Sequence, residues 1–87
     1  MSFFTYILFS VSLNKFYVGH TNDLDRRLAE HNSGLSKSTK SGIPWNLVYS
    51  KNFSSRANAV AFERIIKSLK SRKFIAELIG SKNSLAR

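Results

Sequence analysis

The 87-residue sequence predicts a small α/β domain of the α+β kind, with helices flanking a three-stranded, mainly antiparallel sheet. Three observations support this prediction. Aromatic and β-branched residues are concentrated in three short runs, amphipathic segments follow the second and third runs, and turn-forming residues lie between the elements. The predicted order is strand, strand, helix, strand, helix, helix, or β-β-α-β-α-α.

The first two strands are predicted to form a hairpin. Residues 3–9 are rich in aromatic and β-branched side chains, which is typical of a strand buried on both faces. Residues 10–15 form the turn, and residues 16–19 form the returning strand. If the loop length is even, Tyr6 and Tyr17 project from the same face of the antiparallel pair. The turn sequence does not itself determine that length.

The first helix begins after Asn22 or Asp23, either of which can cap it, and ends at Gly34. Helical periodicity places Leu24, Leu28 and His31 along one apolar stripe.

The two adjacent arginines of this helix are predicted to differ in environment. Arg27 lies at the border of the buried stripe and is expected to reach a cleft beside the sheet, whereas Arg26 is expected to face water.

Residues 35–44 are expected to form a loop in which Lys37 and Lys40 supply positive charge. This loop is either a solvated connector or a set of phosphate contacts from lysines and hydroxyls. A third strand follows at residues 45–53.

Two helices complete the predicted domain. Ser54 or Ser55 caps a long helix at residues 56–69, and a shorter helix occupies residues 72–79, with Ser71 as its cap and Gly80 as its stop. Residues 1–80 are therefore assigned to one domain, and residues 81–87 to a loose tail. The core stripe predicted for the long helix is Ala59, Phe62, Ile65, Ile66 and Leu69.

The charge of the chain predicts a polyanionic partner. Fourteen Lys and Arg residues against five Asp and Glu give a formal net charge of +9. Nucleic acid, with DNA favoured, is the first candidate, and an anionic membrane surface is the second. The apolar N-terminus is too short to span a bilayer and lacks the order of a signal peptide, and the absence of cysteine suits the cytoplasm.

Four separated motifs of the sequence are Phe4-Thr5-Tyr6, Tyr17-Val18-Gly19, Arg27 and Glu63. The most specific feature is the run at residues 17–32, Tyr-Val-Gly-His-Thr-Asn-Asp-Leu-Asp-Arg-Arg-Leu-Ala-Glu-His-Asn. Together these motifs resemble the GIY-YIG endonuclease superfamily, and the resemblance covers about residues 3–78. It is nearest to small stand-alone bacterial members, which are similar to the N-terminal nuclease domain of UvrC.

The resemblance implies a role for each matching position. Tyr6 and Tyr17 stand at the motif tyrosines, Arg27 at the helix arginine, and Glu63 at the glutamate that holds a single divalent metal. His31 stands where a subset of members has histidine.

Two departures from the family pattern concern the motifs themselves. Phe4 and Thr5 replace the Gly-Ile of the first motif. His20 stands where the repair nuclease has a lysine, and it is counted among the candidate catalytic residues.

Phosphodiester hydrolysis requires these types of side chain. Glu63 is a hard oxygen ligand suited to Mg²⁺ or Mn²⁺, and Arg27 offers a bidentate fork for phosphoryl charge. Tyr17 is the candidate to take a proton from the attacking water, directly or as a relay. Tyr6 would orient that water or share the proton, and His31 is an alternative base.

Ordinary structural roles are the competing interpretation. The tyrosines could be half-buried sheet aromatics, Arg27 could pair with Asp23, and Glu63 with Lys67.

The sequence therefore predicts a metal-dependent DNA endonuclease, with a role in repair or recombination. The alternatives are a non-cutting nucleic-acid-binding module of the same fold and a domain that recruits a protein partner; a homodimer is also open. The basic side chains expected to contact nucleic acid are Lys37, Lys40, Arg56, Lys67 and Lys70.

Overall fold

The computed structural model describes the backbone of residues 1–85 and the side chains of residues 1–81. The predicted element order is confirmed. The bounds of β1, β3, α1 and α2 agree closely with those expected, whereas β2 and α3 extend beyond their predicted ends at residues 19 and 79. In chain order the elements are β1 (Phe3–Ser10), β2 (Lys15–Thr21), α1 (Leu24–Ser33), a 3₁₀ helix (Lys37–Gly42), β3 (Trp45–Phe53), α2 (Arg56–Leu69) and α3 (Arg72–Leu85).

The sheet has the order β2-β1-β3, with both pairs antiparallel. The central strand β1 carries four consecutive buried residues, as its apolar run predicts. Leu8 lies opposite Tyr17 and Tyr6 lies opposite Gly19. Because side chains alternate along a strand, Tyr6, Leu8 and Tyr17 share one face. The predicted placement of the two tyrosines is confirmed.

Each face of the sheet is covered by a different set of helices. On one face Ile7 and Val18 pack with buried residues of α2 and α3, Ile66 and Ile75. The opposite face carries Tyr6, Leu8 and Trp45, and the side chains packed against them include Leu24 and Leu28 of α1. The edge strand β2 therefore presents Tyr17 toward α1 and Val18 toward α2 and α3.

The first helix is capped by specific side-chain and backbone contacts. Asp23 accepts a hydrogen bond from the Arg26 amide at 3.0 Å, so Asp23, not Asn22, is the N-cap. Gly34 ends the helix with a φ of 86°, in the left-handed region that favours glycine.

The core stripe predicted for α2 is correct only in part. Ala59 and Ile66 are buried and Phe62 packs against the core, but Ile65 and Leu69 are 52% and 51% exposed. The prediction is wrong for these two positions because a three-stranded sheet covers a narrower strip of the helix than the apolar pattern spans.

Two further boundaries differ from the prediction. The helix α3 continues through Gly80 to Leu85, because Gly80 does not adopt the left-handed φ by which Gly34 ends α1. Residues 86 and 87 of the expected tail lie outside the described residues. The loop at residues 35–44 is also more ordered than expected, since its 3₁₀ helix buries Thr39 and Gly42. None of the helices within residues 1–85 has the length and hydropathy needed to cross a membrane.

Candidate active site

Three rings from β1, β2 and α1 meet on the face of the sheet that α1 covers. The Tyr6 and Tyr17 ring centroids are 6.4 Å apart. The His31 ring packs edge-on against both, at centroid distances of 6.1 Å from Tyr6 and 4.9 Å from Tyr17. The sheet register and the helix periodicity therefore bring these three predicted site residues together.

A buried hydrogen-bond chain joins Tyr6, His31 and Thr39. The Tyr6 hydroxyl lies 3.0 Å from His31 Nε2, and His31 Nδ1 lies 2.8 Å from Thr39 Oγ1. The Thr39 hydroxyl donates its single proton to the Ser36 carbonyl at 3.3 Å, so it must accept from His31 Nδ1. A neutral imidazole with its proton on Nδ1 accepts at Nε2, and Tyr6 is therefore the donor.

The protonation states of Tyr6 and His31 agree with a hydrogen bond in which Tyr6 donates to His31. Burial lowers the pKa of His31, and the nearby Arg27 charge lowers it further. Burial raises the pKa of Tyr6 to about 12, against the opposing effect of the Arg27 guanidinium. Both groups are accordingly neutral at pH 7. His31 is fully buried with both ring nitrogens bonded, so the geometry does not support its expected alternative role as a base acting directly on water.

Gly19 is required by the position of the Tyr6 hydroxyl. A Cβ atom placed on Gly19 would lie 2.5 Å from Tyr6 Oη and 2.7 Å from Tyr6 Cζ. Any larger residue at this point of β2 would have to push the phenol away from His31. The glycine of the Tyr-Val-Gly motif therefore makes room for the tyrosine of the neighbouring strand.

The two arginines of α1 occupy the environments that the sequence predicts. The Arg27 guanidinium lies half-buried next to Tyr6 and Tyr17, and its Nη1 donates to Glu30 Oε1 at 2.9 Å. Its helical partner is therefore Glu30 and not Asp23. Arg26 is exposed and donates to the Asn22 side chain at 3.1 Å.

Glu63 lies in an open pocket of about 260 Å³, here termed the Glu63 pocket, lined by His20, Val60, Glu63, Arg64 and Lys67. Glu63 Oε1 accepts a hydrogen bond from His20 Nδ1 at 2.5 Å, and Glu63 Oε2 accepts one from Lys67 Nζ at 2.6 Å. The Lys67 ammonium also lies 6.0 Å from the Tyr17 ring centroid, so it connects this pocket to the tyrosine pair.

Glu63 is ionised in this setting. Partial burial alone would raise its pKa, but the hydrogen bonds from Lys67 and His20 outweigh that effect and lower the pKa below its ordinary value. Since a carboxylate only accepts, His20 must carry its proton on Nδ1, which leaves Nε2 free of this bond. His20 therefore orients Glu63.

The basic residues predicted to contact nucleic acid are distributed over several surfaces. Lys37 and Lys40 are exposed on the 3₁₀ helix. The Arg56 guanidinium lies 5.1 Å from the Phe3 ring centroid, apart from the residues that line the Glu63 pocket. Lys67 pairs with Glu63, as the competing interpretation expected, and Lys70 lines a separate cleft.

Comparison with known proteins identifies the family. The family model described as the GIY-YIG catalytic domain matches residues 2–75. The chain belongs to this family. The resemblance noted from the motifs is therefore confirmed.

The relatives of this GIY-YIG domain include UPF0213 proteins. A UPF0213 protein of Listeria monocytogenes serotype 4b is 37% identical over 82 residues, covering 93% of this chain and 91% of that protein. The UPF0213 protein YazA of Bacillus subtilis is 36% identical over 76 residues, covering 83% and 77%. The match to a UPF0213 protein of Streptococcus pneumoniae serotype 4 is 41% identical over 56 residues and spans 63% of this chain but only 57% of that protein.

A solved structure has the same fold. The solution NMR structure of the UPF0213 protein BH0048 from Bacillus halodurans superposes with a TM-score of 0.59 at 35% identity. The match covers 94% of this chain and 86% of that one. The predicted fold class is thereby confirmed.

The donor set at Glu63 fits a single divalent ion held by one carboxylate. Within the described residues no group of three or more His, Cys, Asp or Glu side chains is placed to hold a metal. Glu63 is ionised, and each of its oxygens keeps a lone pair beyond the bonds to His20 and Lys67. Such a site suits Mg²⁺ or Mn²⁺, which are bound through one or two carboxylates, with water and phosphate oxygens as further ligands.

Thr39 is the site residue that the sequence did not identify. The sequence predicts phosphate contact for the hydroxyls of this loop, yet Thr39 is 1% exposed and bonded to His31. No local pattern distinguishes it from the neighbouring serines, because its role arises only when the 3₁₀ helix folds against α1.

Proposed function

We propose that this GIY-YIG domain is a metal-dependent endonuclease that hydrolyses phosphodiester bonds of DNA in the cytoplasm, in repair or recombination. The principal support is the placement of Tyr17 between two chemically different groups. His31 packs against its ring on one side, and Lys67, bonded to Glu63, lies near the ring as well. A phosphate and a water at this point would meet a phenol, a guanidinium and a carboxylate.

Arg27 binds the phosphate in this mechanism. Its half-buried guanidinium is already held by Glu30, which restricts the side chain to one position near Tyr6 and Tyr17. A fixed, permanently charged fork stabilises negative charge that develops on phosphoryl oxygens without reorganising during the reaction.

Tyr17 removes the proton from the attacking water, directly or as a relay. It is only half-buried, whereas Tyr6 is 2% exposed and its hydroxyl is committed to His31. Tyr6 therefore contributes by holding the site in place, and not by facing the water itself as the sequence suggested. The chemistry that a divalent ion supplies when held by Glu63 is neutralisation of charge on the phosphoryl and leaving oxygens.

A nicking assay tests the proposal. Labelled single-stranded, duplex and flap DNA are incubated with Mg²⁺, Mn²⁺ or EDTA. We expect cutting only with metal, and we expect Glu63→Gln to reduce the rate by more than about 10³-fold because it removes several kcal/mol of charge stabilisation. Arg27→Ala should reduce the cutting rate by roughly 10²–10³-fold, because it removes a preorganised hydrogen-bond donor to the phosphoryl oxygens.

Arg26→Ala is the matched control for Arg27→Ala. It removes the same charge from the same helix turn, but Arg26 is exposed, donates to Asn22 and lies 3.9 Å from Glu30. Its nicking rate should remain near that of the unmodified chain. If Tyr17→Phe, Arg27→Ala and Glu63→Gln all cut at the normal rate, the assigned site is wrong.

A non-cutting nucleic-acid-binding module is the second candidate. The observation that favours it is the occupation of both Glu63 oxygens by His20 and Lys67, which a metal must share. Such a module would bind DNA in EDTA and leave every substrate intact when Mg²⁺ or Mn²⁺ is added.

A further inference from the structure

A second depression, here termed the Lys70 cleft, lies between β2, α2 and α3. It has a volume of about 200 Å³ and an apolar floor that includes Phe16, Ile66 and Ile75. Four cationic side chains contribute to its lining, and no acidic side chain of the described residues does. These cations are Lys15, Lys67, Lys70 and Arg72.

The cations of this cleft are largely uncompensated. Lys15 and Lys70 form no ion pair within 4 Å in the part of the chain that the structure describes. Arg72 bonds to the carbonyl and side-chain oxygens of Asn14, which are neutral, at 2.9 and 3.2 Å. Only Lys67 has an acidic partner, Glu63.

The Lys70 cleft is adjacent to the Glu63 pocket, because Lys67 lines both. A polyanion that places one phosphate near Glu63 and Arg27 would therefore continue over a positively charged rim. The floor below that rim is largely closed, since Ile66 and Ile75 are 1% and 9% exposed. The Arg72 guanidinium stacks on the Phe16 ring at 5.0 Å, and this planar stack offers a surface that phosphate groups alone do not use.

We propose that the Lys70 cleft binds an unpaired nucleotide of the DNA strand, with its base against the Arg72 guanidinium that stacks on Phe16 and its flanking phosphates on Lys15 and Lys70. A positively charged groove combined with an apolar or aromatic platform is the general chemistry of single-strand binding. In a duplex the bases are paired and stacked, so a duplex would reach only the rim. This inference rests on the proposed function for the direction of the strand, and it specifies a substrate with unpaired bases.

The test measures binding without cutting. Fluorescence anisotropy in EDTA compares a labelled single strand, its duplex and the same strand with abasic sites. We expect the single strand to bind more tightly than the duplex. Abasic sites should weaken binding by about 5- to 150-fold, the range contributed by one stacked base.

Charge variants locate the strand on the protein. The double variant Lys15→Gln/Lys70→Gln should reduce the slope of log affinity against log salt by roughly 1.4, since each phosphate contact of a single strand contributes about 0.7. Lys51→Gln is the control, because Lys51 lies on the opposite edge strand β3 near the Phe53 and Phe62 rings. It should leave the slope nearly unchanged, and circular dichroism checks that each variant is folded.

Three results would overturn the inference: equal affinity for duplex and single strand, no effect of removing the bases, or an equal loss of slope for Lys51→Gln. The outcome is separable from that of the proposed nuclease activity. Tight, base-dependent binding of single strands without cutting in any metal would retain the cleft and reject the endonuclease. Metal-dependent cutting, combined with binding that does not depend on the bases, would retain the endonuclease and reject the role of the cleft.

Discussion

The two halves of the candidate site are built on opposite physical principles. The buried hydrogen-bond chain of Thr39, His31 and Tyr6 consists of neutral groups with exposures of 2% or less. The Glu63 pocket consists of an ionised carboxylate held by Lys67 and His20, whose side chains are 51% and 33% exposed. The first half should govern the stability of the fold, and the second should govern reactivity, because solvent weakens exposed ion pairs but not buried hydrogen bonds.

The largest effect on stability should come from Gly19→Ala. The new Cβ would overpack the site at about 1–3 kcal/mol, and moving the Tyr6 phenol would leave His31 Nε2 unpaired at a further cost of about 1–3 kcal/mol. Urea denaturation measures the loss. Gly80→Ala is the control, since nothing lies within 4 Å of a Cβ there, and it should stabilise the chain by about 0.5–1 kcal/mol.

A second prediction concerns stability at alkaline pH. The pKa of Tyr6 is 10.0 in its ordinary setting and about 12 in the fold, so the folded state holds the phenolic proton more tightly. The resulting stability is fully present below pH 10 and is lost as the pH rises toward 12; it amounts to on the order of 2–3 kcal/mol. Urea titrations should show the stability gap between the unmodified chain and Tyr6→Phe closing over that interval. A gap that stays constant from pH 9 to 12 would contradict the assignment.

Thr39→Val tests the far end of the buried chain. The substitution keeps the shape but removes the acceptor for His31 Nδ1, and an orphaned buried donor costs about 1–3 kcal/mol. Histidine ¹⁵N chemical shifts should show that His31 loses its single Nδ1–H tautomer, a change that loss of stability alone does not produce. Thr39→Ser retains the hydroxyl and should restore both the tautomer and the stability.

The smallest effect on stability is expected for Lys67→Gln. An exposed ion pair contributes about 0–1 kcal/mol, so the free energy of unfolding measured by urea denaturation should fall by no more than that. The nicking rate should nevertheless fall, because Lys67 lies 6.0 Å from the Tyr17 ring centroid and is one of the cations expected to contact the nucleic acid. A loss of 3 kcal/mol or more in this variant, with Thr39→Val unchanged, would reverse the proposed division between the two halves.

The sequence was sufficient where local periodicity determines structure. It predicted all three strands, the end of α1 and the contrasting environments of Arg26 and Arg27, and it limited the cap of α1 to Asn22 or Asp23. The shared face of Tyr6 and Tyr17 needed one additional condition, an even loop, which the register supplies.

What the sequence missed depends on contacts between distant elements. The exposure of Ile65 and Leu69 reflects how narrow the sheet is, which the helix pattern does not encode. Thr39 acquires its role from His31, eight positions away. His20 was expected among the catalytic residues, but its bond to Glu63, forty-three positions away, was not predicted. Side chains that orient other side chains carry no periodic signal of their own.

One contact made at the far side of the molecule has a consequence for how the chain can be shortened or rearranged. Arg72, at the start of α3, bonds to both oxygens of Asn14 in the first hairpin turn and stacks on Phe16 at 5.0 Å. Truncation before Arg72 would therefore untether a turn 58 positions earlier. Insertions or new termini engineered at that turn would also break the contact between Asn14 and Arg72, so this turn is a poor site for them.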